Sequence, residues 1–152
     1  MTLDPTDSRI LTALQRDAHL TTDALGKVLN LSPSQAGRRR QRLESEGYIR
    51  GYAARLDPGL LGLTVQAFVQ VEMAAHAPNA AKAFHTLIAA RPEVISAWTL
   101  TGTADYLLRV YCEDLAALNR LIHQTLLPHP SVARVHSQIV MDQFKPDAPL
   151  PT

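Results

Sequence analysis

The chain has 152 residues, of which 46% are hydrophobic and 19% charged, and its formal net charge is +1. This length allows one large domain or two small ones, and so small a net charge does not by itself indicate nucleic-acid binding. The single cysteine, Cys112, excludes an intrachain disulfide, and the six histidines lack the spacing of a metal site. Without a long apolar run or a targeting pattern, we expect a soluble, cytoplasmic protein with no metal or other cofactor.

Positive charge is concentrated in one part of the chain. Between Arg38 and Arg55 there are six arginines against Glu44 and Glu46, whereas six basic and seven acidic residues follow residue 58. A local basic cluster is the electrostatic footprint of a nucleic-acid-binding element. The first third of the chain is therefore where such an element is expected.

Two short helices are predicted before this cluster. Asp4 can cap the first helix with Pro5 at its first position, and Thr21 can cap the second. Asn30 stands where a left-handed residue would end the second helix. The apolar faces are formed by Ile10, Leu11 and Leu14 in the first helix and by Leu25, Val28 and Leu29 in the second.

The third predicted helix carries the arginines, in the stretch LSPSQAGRRRQRLESEGYI. Ser32 and Gln35 form a capping box with Pro33 between them, and Gly47 ends the helix. About three residues join this helix to the second one, which is typical of a helix-turn-helix with its recognition helix second. The side chains expected on its free face are Ser34, Arg38, Gln41, Arg42 and Ser45, with Gln35 and Arg39 on the flanks. The alternative is an ordinary solvated basic face.

A short strand or wing is predicted over residues 49–56, with Arg50 and Arg55 as DNA-backbone contacts. Asp57-Pro58-Gly59 then marks a turn and a domain boundary. The sequence therefore divides into a helix-turn-helix domain at 1–57, a second domain at 58–145, and a proline-rich, loosely ordered tail at 146–152.

The second domain has the predicted order βαββαβ, which is the ferredoxin-like split unit and makes the whole chain α+β. Its first strand alternates clearly, and two later strands are joined at Gly102-Thr103-Ala104. A sheet with helices on one face leaves the other face uncovered, and Phe68, Trp98 and Tyr111 are expected there, which indicates self-association. The expected inward residues are Val65, Ala67, Val69, Val71 and Met73 in the first strand, Phe84, Leu87 and Ile88 in the first helix, and Leu115, Leu118, Leu121 and Ile122 in the second.

Several of these motifs, in the same order, resemble the Lrp/AsnC family of leucine-responsive or feast/famine regulators over about residues 3 to 145. The resemblance is carried by LDPTDSRILTALQRD, LSPSQAGRRRQRLESEGYIRGYAARLDP, LLGL, PEVISAWTLTGTADYLLRV and the closing IVM. It implies a transcriptional regulator that binds double-stranded DNA, forms dimers and often octamers, and is found on the nucleoid. It also implies an effector domain that commonly binds an amino acid where subunits meet.

Carried over by position, the resemblance implies two sets of site residues. The DNA-binding set is Ser34, Gln35, Arg38, Arg39 and Arg42. The effector-binding set is Gly102, Thr103, Asp105, Tyr106, Gln138 and Val140, in which Asp105 could receive an α-ammonium group. For Arg39 the alternative is a structural ion pair among the three helices, and for Gly102 it is a turn that needs positive φ.

The sequence departs from the family pattern at three positions. Arg40 stands where an aliphatic residue is usual, so it must either snorkel or pair. Gly37 replaces a larger residue, and Thr103 stands where many members have an acidic one. Two other functions remain open: an architectural DNA-binding protein, and an enzyme similar to the siroheme decarboxylases, although no convergent acid, base or nucleophile set is apparent.

Overall fold

The computed structural model describes residues 3–74 and 78–152, and these form two compact units. One unit runs to Arg55 and includes Phe144–Thr152, while the other comprises Leu56–Gln143. The tail, which the sequence sets apart, is therefore grouped with the first unit by its contacts. In the described ranges, no helix has the length and apolar character needed to cross a bilayer.

Three helices form the first unit. They are α1 (Pro5–Arg16), α2 (Thr22–Leu29) and α3 (Pro33–Ser45). The predicted caps are confirmed: the Asp4 carboxylate accepts from the Asp7 amide at 2.7 Å, and the Thr21 hydroxyl accepts from Ala24 at 3.1 Å. The capping box of α3 is also present, with both of its hydrogen bonds formed, and Asn30 ends α2 at φ 55°. These caps satisfy amide groups that the helices cannot bond themselves.

The core of this unit lies where the three helices meet. Its buried residues are Ile10, Leu11, Leu14, Leu25, Leu29, Ala36 and Leu43. The prediction for Val28 is wrong, since this side chain is 58% exposed. A helix of eight residues buries only a narrow stripe, and in α2 the pair Leu25 and Leu29, one turn apart, occupies it.

The strand predicted over residues 49–56 is not formed: residues 50–57 have no regular secondary structure. A strand requires a neighbour to bond with, and the contacts of this segment within its unit are made chiefly by side chains instead. Gly47, at φ 79°, turns the chain away from α3, and the Ile49 amide then donates to the Leu43 carbonyl at 3.1 Å.

The tail lies against α1. The Gln15 side chain accepts from the Leu150 amide at 2.6 Å and donates to the Leu150 carbonyl at 3.0 Å. The Thr152 and Thr12 hydroxyl oxygens are 2.7 Å apart, and Arg55 donates to the Asp147 carbonyl at 3.0 Å. Polar contacts with an exposed helix face, rather than apolar burial, hold this segment.

A four-stranded antiparallel sheet and two helices form the second unit. The strands are β1 (Val65–Met73), β2 (Val94–Thr99), β3 (Tyr106–Cys112) and β4 (Val132–Ile139), in the spatial order β2-β3-β1-β4. The helices are α4 (Pro78–Ala89) and α5 (Leu115–Arg120), and a π-helical turn over Leu121–Leu126 extends α5. This order is the ferredoxin-like topology, so the predicted fold class is confirmed.

One face of the sheet packs on the helices and the other is open. The core side is formed by alternate residues of β1 and β3 together with Phe84, Ile88, Leu118, Leu121 and Leu126. Leu115 was predicted to point inward, but it is 59% exposed because it opens the first turn of α5 next to its cap, Asp114. The register pairs Phe68 with Arg109, Trp98 with Leu107 and Tyr111 with Gln66, which places the three aromatic residues on the open face as predicted.

Candidate nucleic-acid and effector sites

One flank of α3 is tied to the start of α1 by two arginines. Arg39 donates to Asp4 at 2.5 Å and to Asp7 at 2.8 Å, and Arg42 pairs with the second oxygen of Asp7. Asp7 is only 2% exposed, so its carboxylate depends on these donors. The hydrogen bond from Arg39 holds the pKa of Asp4 below its ordinary value of 3.8. Two positive charges are thus balanced by two negative ones.

The opposite flank of α3 is organised by Arg40. Its Nε lies 3.1 Å from Glu44, its Nη1 donates to the Leu20 carbonyl at 2.9 Å, and its guanidinium lies 4.9 Å from the centre of the Tyr52 ring. The Tyr52 hydroxyl donates to the same Glu44 oxygen at 2.8 Å. Hydrogen bonds from Tyr52 and Arg40 lower the pKa of Glu44, whereas burial raises the pKa of Tyr52. Arg40 is therefore half-buried and paired.

Between these flanks runs an exposed strip of α3. Its side chains are Ser34, Arg38, Gln41 and Ser45. Of the four arginines on the helix, Arg38 alone has no carboxylate partner among the described residues. Its planar fork is suited to a phosphate or to the edge of a guanine.

The five predicted DNA-binding residues therefore have different surroundings. Ser34 and Arg38 lie on the exposed strip, and Gln35 is exposed beside it with its carbonyl oxygen engaged in the capping box. Arg39 and Arg42 are about one-third exposed and carry the ion pairs that were the alternative for Arg39. A concavity of about 330 Å³ is lined by Leu31, Gln35, Arg38, Arg39 and Arg42. From the sequence, Asp4 was expected only as the cap of the first helix, Asp7 was not singled out, and the partner of Arg39 in an ion pair was left unnamed.

The predicted effector residues surround the loop between β2 and β3. Gly102 adopts φ 116°, so the alternative of a turn that needs positive φ is observed there. The Asp105 amide donates to Val71 at 2.9 Å, and its carboxylate accepts from the Met73 amide at 2.6 Å. Asp105 therefore also shapes the loop by holding the end of β1.

These residues do not converge on one face of the sheet. Tyr106 is 8% exposed and lies on the core side, where its hydroxyl is 3.1 Å from Nε2 of His85. Gln138 pairs with Phe68 on the open side, and the Val140 amide donates to the Gln66 carbonyl at 2.9 Å. Within one chain, Tyr106 and Gln138 therefore cannot contact the same small ligand.

A cavity of about 640 Å³ lies between α4 and strands β2 and β3. Tyr106 belongs to its wall, together with Phe84, His85, Ile88, Ala97 and Leu108 among others. Among the residues that the structure describes, no acidic side chain, lysine or arginine lines it. Such a wall favours an apolar group over a charged one.

Both halves of the chain match known protein families. The model described as the Lrp/AsnC ligand binding domain matches residues 66–150, and the model of a winged helix-turn-helix DNA-binding domain matches residues 3–50. The chain is similar to the leucine-responsive regulatory protein of Escherichia coli, with 34% identity covering 94% of this chain and 87% of that protein. It is also 33% identical to the E. coli DNA-binding transcriptional activator DecR, over 98% of both chains.

Solved structures are similar over almost the whole chain. A transcriptional regulator of Neisseria meningitidis in complex with L-methionine has a TM-score of 0.94 and 39% identity, covering 99% of this chain and 97% of that one. An AsnC family regulator of Agrobacterium tumefaciens has a TM-score of 0.91 and 34% identity, covering 98% and 97%. Fold and sequence therefore agree over both units.

Proposed function

The chain belongs to the Lrp/AsnC family of DNA-binding transcriptional regulators, and we propose that its effector is an amino acid bound where subunits meet. The family fixes the two partner classes, since one unit is a winged helix-turn-helix that binds DNA and the other is a ligand-binding domain. The relatives reported above are regulators rather than enzymes, which sets the decarboxylase alternative aside. We further propose that the protein acts in the cytoplasm on the nucleoid.

The DNA interface proposed here is the exposed strip of α3. Ser34, Gln35 and Arg38 contact base edges and phosphates, while Arg39 and Arg42 stand at the rim and fix the helix on α1. The observation that carries this assignment is the uncompensated charge of Arg38 on a strip bounded by two neutralised flanks. Phosphate contacts position such a helix, and side chains at base edges give it sequence preference.

The proposed effector site comprises Gly102, Thr103, Asp105, Tyr106, Gln138 and Val140, completed by a second subunit. Two subunits are needed because Tyr106 and Gln138 lie on opposite faces of the sheet. The Asp105 carboxylate supplies the negative charge that an α-ammonium group requires. The methionine-bound regulator of N. meningitidis supports the ligand class. Dimers that assemble further, as octamers, would supply the subunit contacts.

Thermal unfolding against each of the twenty amino acids at millimolar concentration tests the effector proposal. A ligand that binds only the native protein must raise the unfolding midpoint. We expect one amino acid, or a few related ones, to raise it, and we expect Asp105→Asn to abolish that rise. This substitution removes the charge but keeps an oxygen that can accept from the Met73 amide. Asp142→Asn, at an exposed aspartate of the same unit, is the matched control.

The outcomes separate the parts of the proposal. A midpoint that no amino acid raises would reject this ligand class, and a rise that persists in Asp105→Asn would show that the ligand binds elsewhere.

Competition with bulk DNA at fixed salt tests whether DNA binding is specific. A specific regulator stays bound to its selected site in the presence of excess competitor DNA. An architectural protein is instead displaced from that site in proportion to the competitor added.

A further inference from the structure

The segment after α3 is anchored on both sides of Arg50. On one side, Ile49 packs against the core of the first unit, and its amide donates to the Leu43 carbonyl at 3.1 Å. On the other side, the Tyr52 hydroxyl donates to Glu44 and the ring lies under the Arg40 guanidinium. Arg50 and its neighbour Gly51 are exposed between these anchors. A segment without regular secondary structure is thus held in place.

The second anchor sets the position of Arg50 relative to the exposed strip. At about 100° per residue, Glu44 lies beside Gln41 at the edge of the exposed strip, and Arg40 lies further round α3 towards the core, away from the flank that contacts α1. Arg50 is two residues from Tyr52, so its Cα lies within about 7 Å of the Tyr52 Cα. Arg50 is exposed and, in the part of the chain that the structure describes, has no carboxylate partner.

We propose that Arg50 is a phosphate contact of the DNA interface and that Arg40, acting through Glu44 and Tyr52, is the residue that positions it. The inference rests on the DNA-binding function and adds a second cation beside the recognition helix. An aliphatic side chain at position 40 could form neither the ion pair with Glu44 nor the contact with the Leu20 carbonyl. The arrangement is therefore a property of this chain's own residues.

The salt dependence of DNA binding tests the role of Arg50. Each phosphate contact contributes about 0.9 to the slope of log affinity against log salt concentration. With duplex DNA of mixed sequence, Arg50→Ala should reduce this slope by about 0.9 for each subunit that touches DNA. Arg16→Ala is the matched control, because it removes an exposed arginine at the far end of α1 from Asp4 and Asp7. An unchanged slope in Arg50→Ala would overturn the proposal.

Substitution of Arg40 separates positioning from direct contact. Arg40→Leu should reduce the slope as much as Arg50→Ala does, and the double variant should show no further loss, because both remove the same contact. If Arg40 itself touched phosphate, the two losses would add to about 1.8 per subunit, and the positioning role would be overturned. Tyr52→Phe should act like Arg40→Leu, since it removes the hydroxyl that bonds to Glu44.

Two further measurements exclude a general loss of structure. Glu44→Gln keeps an oxygen that accepts from Tyr52, so it should retain more of the Arg50 contribution than Glu44→Ala. Burial raises the pKa of Tyr52, whereas the positive charge of Arg40 lowers it. If Arg40 positions Tyr52, Arg40→Leu should release the ring to solvent, and an ultraviolet titration of tyrosine ionisation, compared with Tyr52→Phe, should show the pKa return towards its ordinary value. A Tyr52 pKa that stays raised, or rises further, in Arg40→Leu would show that the ring is still buried without Arg40 and would count against the positioning role. If the wild type bound no duplex at all, the proposed function itself would fail, which is distinct from these outcomes.

Discussion

Four arginines of α3 carry the same charge and differ only in what surrounds them. Arg39 and Arg42 lie against carboxylates of α1, Arg40 lies between Glu44 and Tyr52, and Arg38 faces outward. A guanidinium that already donates to carboxylates gains less from a phosphate, because each new bond replaces an existing one. The basic run in the sequence therefore overstates the charge that α3 offers to DNA.

Arg38→Ala and Arg39→Ala should affect different properties. Arg38 has no carboxylate partner in the described part of the chain, so we expect Arg38→Ala to change the free energy of unfolding by less than about 0.5 kcal/mol while DNA affinity and its salt slope fall. Arg39→Ala leaves the buried Asp7 with one donor fewer and should cost about 2 kcal/mol of stability. Urea unfolding and DNA titration of both variants check this. Equal losses of stability in the two variants would contradict the assignment.

The ion pair of Asp4 predicts an acid-sensitive stability. The folded-state pKa of Asp4 lies below 3.8, so its contribution is fully present above that pH and is lost as the pH falls through the folded-state value. Below about pH 4 the wild type should therefore lose stability more steeply than Asp4→Asn, which can still cap α1. Urea midpoints measured across this range, with Asp23→Asn as control, test the difference. Parallel curves for wild type and Asp4→Asn would disprove it.

At the scale of elements, the fit of α2 against the turn that leads to α3 depends on Gly26. A Cβ at this position would lie 2.7 Å from the Leu31 carbonyl oxygen, which is backbone and cannot move aside cheaply. At Gly37 a Cβ would meet the Thr22 methyl at 3.3 Å, where a small side-chain shift suffices. The same substitution should therefore have opposite effects at the two glycines.

We expect Gly26→Ala to lower stability by about 2 kcal/mol, because overpacking outweighs the gain in helix propensity. Gly37→Ala should instead stabilise the protein by up to about 1 kcal/mol. Thermal unfolding of the two variants side by side measures both effects, and each serves as the control for the other. A stable Gly26→Ala would show that the turn after α2 can relax.

The elements themselves were largely predictable because their signals are local. The capping residues Asp4, Thr21 and Ser32 and the left-handed Asn30 stand within a few positions of the helix ends that they define. The pairing of Arg39 with Asp7 spans 32 positions, and no periodicity reveals which distant carboxylate a cation will meet. The prediction of a strand over residues 49–56 was wrong for a related reason, since a strand must pair with a neighbouring strand that the local sequence does not specify.

At the scale of the whole molecule, one chain leaves the open face of the sheet uncovered. It presents Phe68, Leu107, Tyr111 and the 46% exposed Trp98 beside polar neighbours such as Arg109. An aromatic patch with a polar surround is typical of a protein interface, in which aromatic residues and arginine are enriched. Covering it with a second copy also fits the effector proposal, which requires residues from two subunits.

Trp98 is the only tryptophan of the chain, so its fluorescence reports whether this face is covered. If subunits meet here, emission should shift to longer wavelength on dilution, in step with the loss of dimers in sedimentation experiments. Leu107→Lys places a charge opposite Trp98 and should shift emission and sedimentation together towards the dissociated form. Thr86→Lys, on the exposed side of α4, is the control. Dimers that dissociate without any change in Trp98 emission would place the interface on another face, and the effector site would then have to be assembled from different surfaces of the second unit.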